Sequence, residues 1–417
     1  MVDPTKVFSI LKNFSLDKAT LFTGDSQAGK TRIEPLKIDG QEIPRFINEF
    51  WTSRQRQASS IHEISYRACY KPQLPRFFIN LFTRPGDLVY DPFNGRGTTI
   101  IEAALLNRKI VANDANPLSE ILSRPRLFVP QEESLAERLS AIPLQEHLKA
   151  EIDISMFYHP KTEAEIVSLK NYLFQRHMQG TEDEIDGWIR MIATNRLTGH
   201  SPGFFSVYTL PPNQAVSPES QQKINRKRNQ QPEYRDIRKI ILRKTRRMLG
   251  NVSAAQVQAL RTAGKTARFF NSDARSVPEI ESDSVALTVT SPPFLNVVQY
   301  SKDNWLRCWF NGIDVKAVEK KITMTHSLKE WTEVMQDVFR ELYRITTPGG
   351  WVAFEVGEVK KKSLNLDEVV VPLGISAGFD CAGILINSQK FTKTANIWGV
   401  SNNQAGTNTN RIVLFRK

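Results

Sequence analysis

Cysteine is scarce in this sequence: three residues in 417, Cys69, Cys308 and Cys381, far apart and in no CxxC arrangement. That spacing speaks against a disulfide framework and against a cysteine-based structural zinc site, and no metal is expected. Long apolar runs are missing too. Charges interrupt each of them within about ten residues, well short of the ~20 that span a bilayer. The N-terminus, MVDPTKVFSILKNFSLDK, lacks a basic stretch followed by an apolar core and a small-residue cleavage site, so no secretory signal is expected. The expectation is a cytoplasmic protein without membrane association. Internal repeats and low-complexity tracts are absent as well.

What is present is enough apolar material for a core, 40% of residues against 24% charged. There is also a marked excess of positive charge, +12 at pH 7. The excess is uneven. Residues 221–250, QQKINRKRNQQPEYRDIRKIILRKTRRMLG, hold eleven Lys/Arg and two acids. Concentrated charge of this kind points to a polyanion, and Arg226, Lys227, Arg228, Arg243, Lys244, Arg246 and Arg247 are the candidates for backbone phosphates. Asn213, Gln214, Asn225 and Gln230 are residue types that read base edges, and equally types that decorate a polar loop.

The patterning is clearest from Gln73 onward. LPRFFINLF (74–82) has helical apolar spacing, DLVYD (87–91) reads as a short buried strand, and NGRG is a turn. TTIIEAALLNR (98–108) reads as a helix, and KIVANDAN (109–116) as a second strand ending in an acid. Strand, glycine turn, helix, strand is a βαβ unit, which predicts α/β architecture with a mostly parallel sheet. Residues 121–264 leave this rhythm and read as a large, mainly helical insertion. The rhythm returns with ARFFNSDARSV, SVALTVTSPPF, a helix over 328–345, WVAFEVGEV, and a terminal strand pair. The expected division is an N-terminal extension (1–60), a catalytic domain (61–120 and 265–417) and the insertion. Within the insertion, Phe204, Phe205 and Tyr208 are expected to plug it onto the catalytic domain, with His200 and these rings as alternative stacking partners for a base. Trp305 and Trp309 read as helix core.

Two motifs carry chemistry. In DPFNGRGTT, Gly95 and Gly97 permit close backbone approach, and the helix opening at Thr98 offers free N–H groups. The pattern is neither GxGxxG nor GxxxxGK[ST], which disfavours a dinucleotide or P-loop site. Asp91 suits a cationic amino group and Asp114 a ribose diol. A molecule with adenosine, a diol and an ammonium group satisfies all three features, and S-adenosylmethionine is one. In TVTSPPF, an apolar strand stops at Ser291, and Pro292 and Pro293 give up their N–H groups. A nucleobase amine is a poor nucleophile, because its lone pair is delocalised into the ring. The Ser291 hydroxyl and the Pro292 carbonyl are two acceptors that could orient it, and Phe294 offers a face for a base swung out of its stack. Methylation at carbon would need a nucleophilic cysteine, characteristically after proline. The three here follow Ala68, Arg307 and Asp380.

Together DPFNGRGTT and TSPPF resemble the amino-group DNA methyltransferases, which act on cytosine N4 or adenine N6. The resemblance covers roughly 60–120 and 265–360. It implies a Rossmann-like class I methyltransferase fold with a mixed, mostly parallel seven-stranded sheet, and S-adenosylmethionine as cofactor. It places Lys71 and Pro72 of YRACYKPQLPRFF near the methionine end, and Asp91, Pro92, Phe93, Gly95, Gly97, Thr98 and Asp114 around the cofactor. Asp273 of NSDARSV falls at the adenine amine, and Ser291, Pro292, Pro293 and Phe294 form the catalytic loop. The partner implied is double-stranded DNA, with a cognate restriction endonuclease where the protein is one half of a modification pair. Serine at position 291 resembles the cytosine-N4 group. Motif order departs from the commoner arrangement of that group, which leaves adenine N6, or an RNA base, as the alternative.

Overall fold

The apolar runs that read as strands form the middle of one sheet. The computed structural model describes residues 3–15, 31–38, 40–51, 58–67, 69–211, 214–293, 300–321, 327–356, 358–359, 364–388 and 409–417. Its strands are β1 (Arg32–Ile38), β2 (Gln41–Asn48), β3 (Leu88–Asp91), β4 (Lys109–Asn113), β5 (Arg268–Phe270) and β6 (Val285–Thr290). They continue with β7 (Thr346–Val356), the two-residue pair β8 (Glu358–Val359) and β9 (Leu364–Asn365), β10 (Asp380–Ser388) and β11 (Thr409–Arg416). Nine strands lie in the order β1-β2-β10-β11-β7-β6-β3-β4-β5. Pairing is parallel from β5 through β7, and β11 runs antiparallel between β7 and β10.

Seven of these strands, β10 to β5 in the sheet, are the expected class I arrangement. The other two come from the N-terminal stretch that shows no core pattern in the sequence. The β1–β2 hairpin adds to the sheet through parallel pairing of β2 with β10. Phe46 and Phe50 are buried, and the Asn387 side-chain oxygen accepts from the Phe50 amide at 2.8 Å. A polar surface hairpin and a buried anchor share one short stretch, and this mixture hides the pattern.

Strand alternation supplies both faces of the sheet. Val89, Ile110, Leu287 and Ala353 point into one apolar layer, and Tyr90, Val111, Val352 and Phe354 into the other. The helix Thr98–Leu105 is almost wholly buried; Ile100, Ile101, Ala103 and Ala104 are inaccessible to solvent. At ~1.5–3 kcal/mol per fully buried large aliphatic side chain, such contacts fix the turn that precedes the helix. Between β4 and β5 the chain makes its long excursion through helices Glu132–Ala141, Pro160–Met178, Glu184–Arg196, Pro218–Arg228, Ile237–Leu249 and Ala254–Gly264. Phe204 and Phe205 are buried as expected. Trp305 and Trp309 are half-buried rather than core, and their ring N–H groups donate to Val216 O and to Glu151 across the seam with the excursion. Among the described residues, no helix is long and apolar enough to cross a membrane.

Candidate active site

The chain runs outward from β3 to β4 and β5, then resumes on the other side of β3 with β6. A sheet that reverses in this way opens a crevice at the carboxyl ends of the two strands. Asp91 closes β3 and Thr290 closes β6. The Thr290 hydroxyl donates to Asp91 Oδ1 at 2.7 Å, joining the two motifs, which lie about two hundred residues apart in the sequence.

Asp91 is buried, 1% exposed. It also accepts from the Phe93 amide and from the Tyr70 hydroxyl, each at 3.1 Å. Burial pushes its carboxyl up to about 6, against the pull of those donors. Tyr70 also meets Thr99 Oγ1, which bonds to Val289 O at 3.0 Å. Two strand ends, a helix start and the segment before Lys71 therefore converge on one carboxylate.

The glycine turn is shaped by its backbone. Gly95 and Gly97 have φ of +52° and +78°, a region that L side chains rarely enter. A Cβ on Gly97 would stand 2.5 Å from Ser123 Cβ. Thr98 is buried as the helix opens. Pro92 is buried beneath the turn, and Phe93 packs half-buried against the second apolar layer. Asp114, one strand over, accepts from the Gly95 amide at 2.8 Å and the Asn116 amide at 2.9 Å, and burial pushes it up to about 6.

The Ser291 hydroxyl hydrogen-bonds to Glu355, a buried carboxylate on β7. Glu355 also accepts from Asn410 Nδ2 at 2.6 Å, and burial raises its pKa. Pro292 is buried, while the Pro293 carbonyl accepts from Trp331 Nε1 at 3.0 Å. That bond pins the donor-free loop to the helix Leu328–Ile345. Phe294 lies outside the described residues.

Asp273, Lys71 and Lys244 have surroundings that the sequence does not give. Asp273 follows β5, but its carboxylate is held by Arg275, with Nη2 to Oδ2 at 2.6 Å. Lys71, next to the Pro72 that caps the helix Gln73–Phe82, lines a cavity of about 850 Å³ shared with Arg96 and not with Asp91, Asp114, Asp273 or Ser291. Lys244 does not sit on an open helix face; it is buried, 7% exposed, and pairs with Glu63 at 3.4 Å. The helix Ile237–Leu249 is amphipathic, and position 244 falls on its inner stripe with Ile237, Ile240, Ile241 and Met248. Arg243 and Arg247 are exposed and flank that stripe, and Arg246 pairs with Glu132 at 2.6 Å. Arg226, Lys227 and Arg228 are exposed at the end of Pro218–Arg228, with Arg228 over the Tyr208 ring. Asn225 and Gln230 bond to each other and to Met156 O and Tyr208 O, so neither is free to read a base. Gln214 accepts from Arg67 at 3.0 Å, and Asn213 lies outside the described residues.

Several site residues escape the sequence reading. Thr290 sits inside the quoted TVTSPPF, Tyr70 adjoins Lys71, and Glu355 is a lone acid in an apolar strand, a signal visible in WVAFEVGEV. Glu102 and His62 form another buried pair, Nε2 to Oε1 at 2.7 Å, with Arg76 on the second oxygen at 2.7 Å. This pair clasps the 60–76 segment over the turn.

Against known proteins, residues 13–120 match the family described as DNA methylase. Type II methyltransferase M.MjaI of Methanocaldococcus jannaschii is 31% identical over 100 residues, 22% of this chain and 32% of that protein. The chain thus spans about a third of that relative's length. Among solved structures, TTHA0409 of Thermus thermophilus, complexed with S-adenosyl-L-methionine, is 23% identical over 35% of this chain and 53% of its own, with a TM-score of 0.23. The rRNA methyltransferase AviRa of Streptomyces viridochromogenes is 9% identical over 88% and 95%, with a TM-score of 0.34. Scores this low add nothing to the fold, which rests on the strand order above.

Proposed function

We propose, from the premise that the chain belongs through residues 13–120 to the DNA methylase family, that it transfers a methyl group from S-adenosylmethionine to an exocyclic amine of duplex DNA, cytosine N4. The observation that carries this reading is the junction Asp91–Thr290–Ser291–Glu355, which binds the cofactor turn to the donor-free loop.

The residues at the turn fit the cofactor. A buried acid, Asp91, and a half-buried one, Asp114, close neighbouring strands, and two glycines in the left-handed region leave the backbone bare between them. Asp91 would take the ammonium group and Asp114 the ribose diol, with Gly95, Gly97 and Thr98 beside them. When bound, S-adenosylmethionine supplies an electrophilic methyl on sulfur.

The rest is the work of this chain's own groups. With its proton donated to Glu355, Ser291 Oγ turns lone pairs outward to accept an amine N–H. The Pro292 carbonyl is the second acceptor, and neither proline offers an N–H that would compete for them. Two acceptors on one amine draw its lone pair out of conjugation and aim it, a contribution of orientation and fixed dipoles. Glu355, with its pKa raised by burial, is suited to take up the proton that leaves the amine through Ser291. The exposed cations Arg226, Lys227, Arg228, Arg243 and Arg247 face a duplex as phosphate contacts.

Serine at position 291 favours cytosine. Incubation with methyl-labelled S-adenosylmethionine and duplex DNA, followed by nucleoside analysis, should return N4-methylcytosine. Label on no base would overturn the reading. N6-methyladenine would keep the site and move the target, and label confined to RNA would replace the substrate.

A further inference from the structure

The cavity shared by Lys71 and Arg96 is walled by six cationic side chains and a single carboxylate, Glu63. Four stretches of chain supply the cations. Lys71 precedes the helix Gln73–Phe82, Arg96 lies in the glycine turn, and Arg196 ends the helix Glu184–Arg196. Lys244 lies on the inner stripe of the helix Ile237–Leu249, and Arg243 and Arg247 border it one turn apart on the cavity side.

Three of the six are withdrawn from water: Arg96 and Arg196 are 8% exposed and Lys244 7%. One carboxylate cannot neutralise them. Glu63 is divided between Lys244 at 3.4 Å and Arg247 at 2.7 Å. Arg196 lies over the Phe204 ring at 3.9 Å and donates to the Asn195 side chain, a neutral partner. Arg243 makes no ion pair with any described residue. Gathering like charges in a concave, partly dry space is unfavourable unless an anion completes it. In keeping with this, burial and the neighbouring Arg196 bring Lys244 down to about 7.

We propose that this cavity binds a phosphate group, with the backbone of the nucleic-acid substrate as its source. The inference rests on the proposed function for that source, and on the cavity alone for the phosphate. Planar guanidinium forks match the oxygens of a phosphate in pairs, and an excess of positive charge suits a dianion or the crowded charge of a backbone. The volume admits a phosphate together with its flanking sugars. Arg96 carries the contact into the catalytic domain. Its Nη1 donates to Ile64 O at 2.8 Å, and its own carbonyl accepts from the buried Arg126. An anion held there bears on the same turn that presents Gly95 and Gly97.

The test compares the wild-type protein with Arg243→Gln/Arg247→Gln, two exposed positions outside the apolar core, with circular dichroism to check that the variant is folded. Arg32→Gln/Lys37→Gln on the distant β1 strand is the charge-matched control. Binding of a fluorescein-labelled duplex is measured by anisotropy across a potassium chloride series, and inorganic pyrophosphate is titrated by calorimetry. The cavity variant should bind duplex at least ~10-fold more weakly, with its log–log salt slope reduced by about 1–2, the loss of one or two phosphate contacts. It should also lose pyrophosphate, while the control retains both ligands. S-adenosylmethionine binding should be unchanged in all three proteins. Pyrophosphate bound through Arg243 and Arg247 by a protein that binds no duplex would keep the phosphate site, assign it to a free phosphate ligand and refute the nucleic-acid source. A cavity variant indistinguishable from the control with both ligands would overturn the proposal.

Discussion

At Asp91 the demands of folding and of the site diverge. Its carboxyl, pushed up to about 6 from an ordinary 3.8, binds a proton more readily in the folded chain than in the unfolded one. Its stabilising contribution is therefore fully present below about 3.8 and lost as the pH rises through about 6. At neutral pH the ionised group costs about 1–3 kcal/mol, given ~1.4 kcal/mol per pKa unit. Asp91→Asn should raise stability at pH 7.5 by that amount and flatten its decline between pH 4 and 6, while S-adenosylmethionine binding disappears. Denaturant unfolding across pH, with calorimetry for the cofactor, measures both. Under the proposed function Ser291→Ala would remove one acceptor of the amine and should cut methyl transfer by about 10²–10³-fold with cofactor affinity intact. Glu355→Gln keeps the shape of the side chain but not its proton-accepting role. Its rate should fall, and the acid limb of the pH–rate profile seen in the wild type should vanish.

Among the elements, the glycine turn and the loop after β6 depend on different supports. Gly97→Ala places a Cβ 2.5 Å from that of Ser123 at a φ of +78°. It should cost at least ~2 kcal/mol in thermal or denaturant unfolding and weaken cofactor binding along with it. Trp331→Phe keeps an aromatic ring, though a smaller one, and removes the donor to Pro293 O. A loss of about 1 kcal/mol is expected, with a lower kcat and an unchanged KM for the cofactor. Both motifs were legible in the sequence because their information is local: strand, turn and helix signals lie within ten residues of one another. Residues contributed from afar were not. Glu355 reaches Ser291 because β6 and β7 pair in a register that sets Thr290 opposite Phe354. The β1–β2 hairpin joins β10, more than three hundred residues away, and its Pro35 and Pro44 mask the alternation. Lys244 looked like one more cation on a basic helix. Only the docking of that helix on the Glu63 segment turns it inward.

Across the whole molecule, the excursion between β4 and β5 does not stand apart from the sheet. Trp188, Phe205 and Ile241 of the excursion belong to the same apolar core as Val89, Leu287 and Trp351 of the sheet and Val7 of the N-terminal helix Pro4–Lys12. A shared core of this kind predicts one cooperative transition, with tryptophan fluorescence and far-UV circular dichroism coinciding during denaturant unfolding. Two separable transitions would contradict it. The shared core has a further consequence for substrate choice. Two halves fused through buried aromatics are poorly suited to closing like jaws, so under the proposed function the work of bringing a base to Ser291 would fall on the DNA. The enzyme should then be impatient with well-stacked helices. A target base set opposite a mismatch, already half released from its neighbours, should be methylated faster than the same base in a perfect pair.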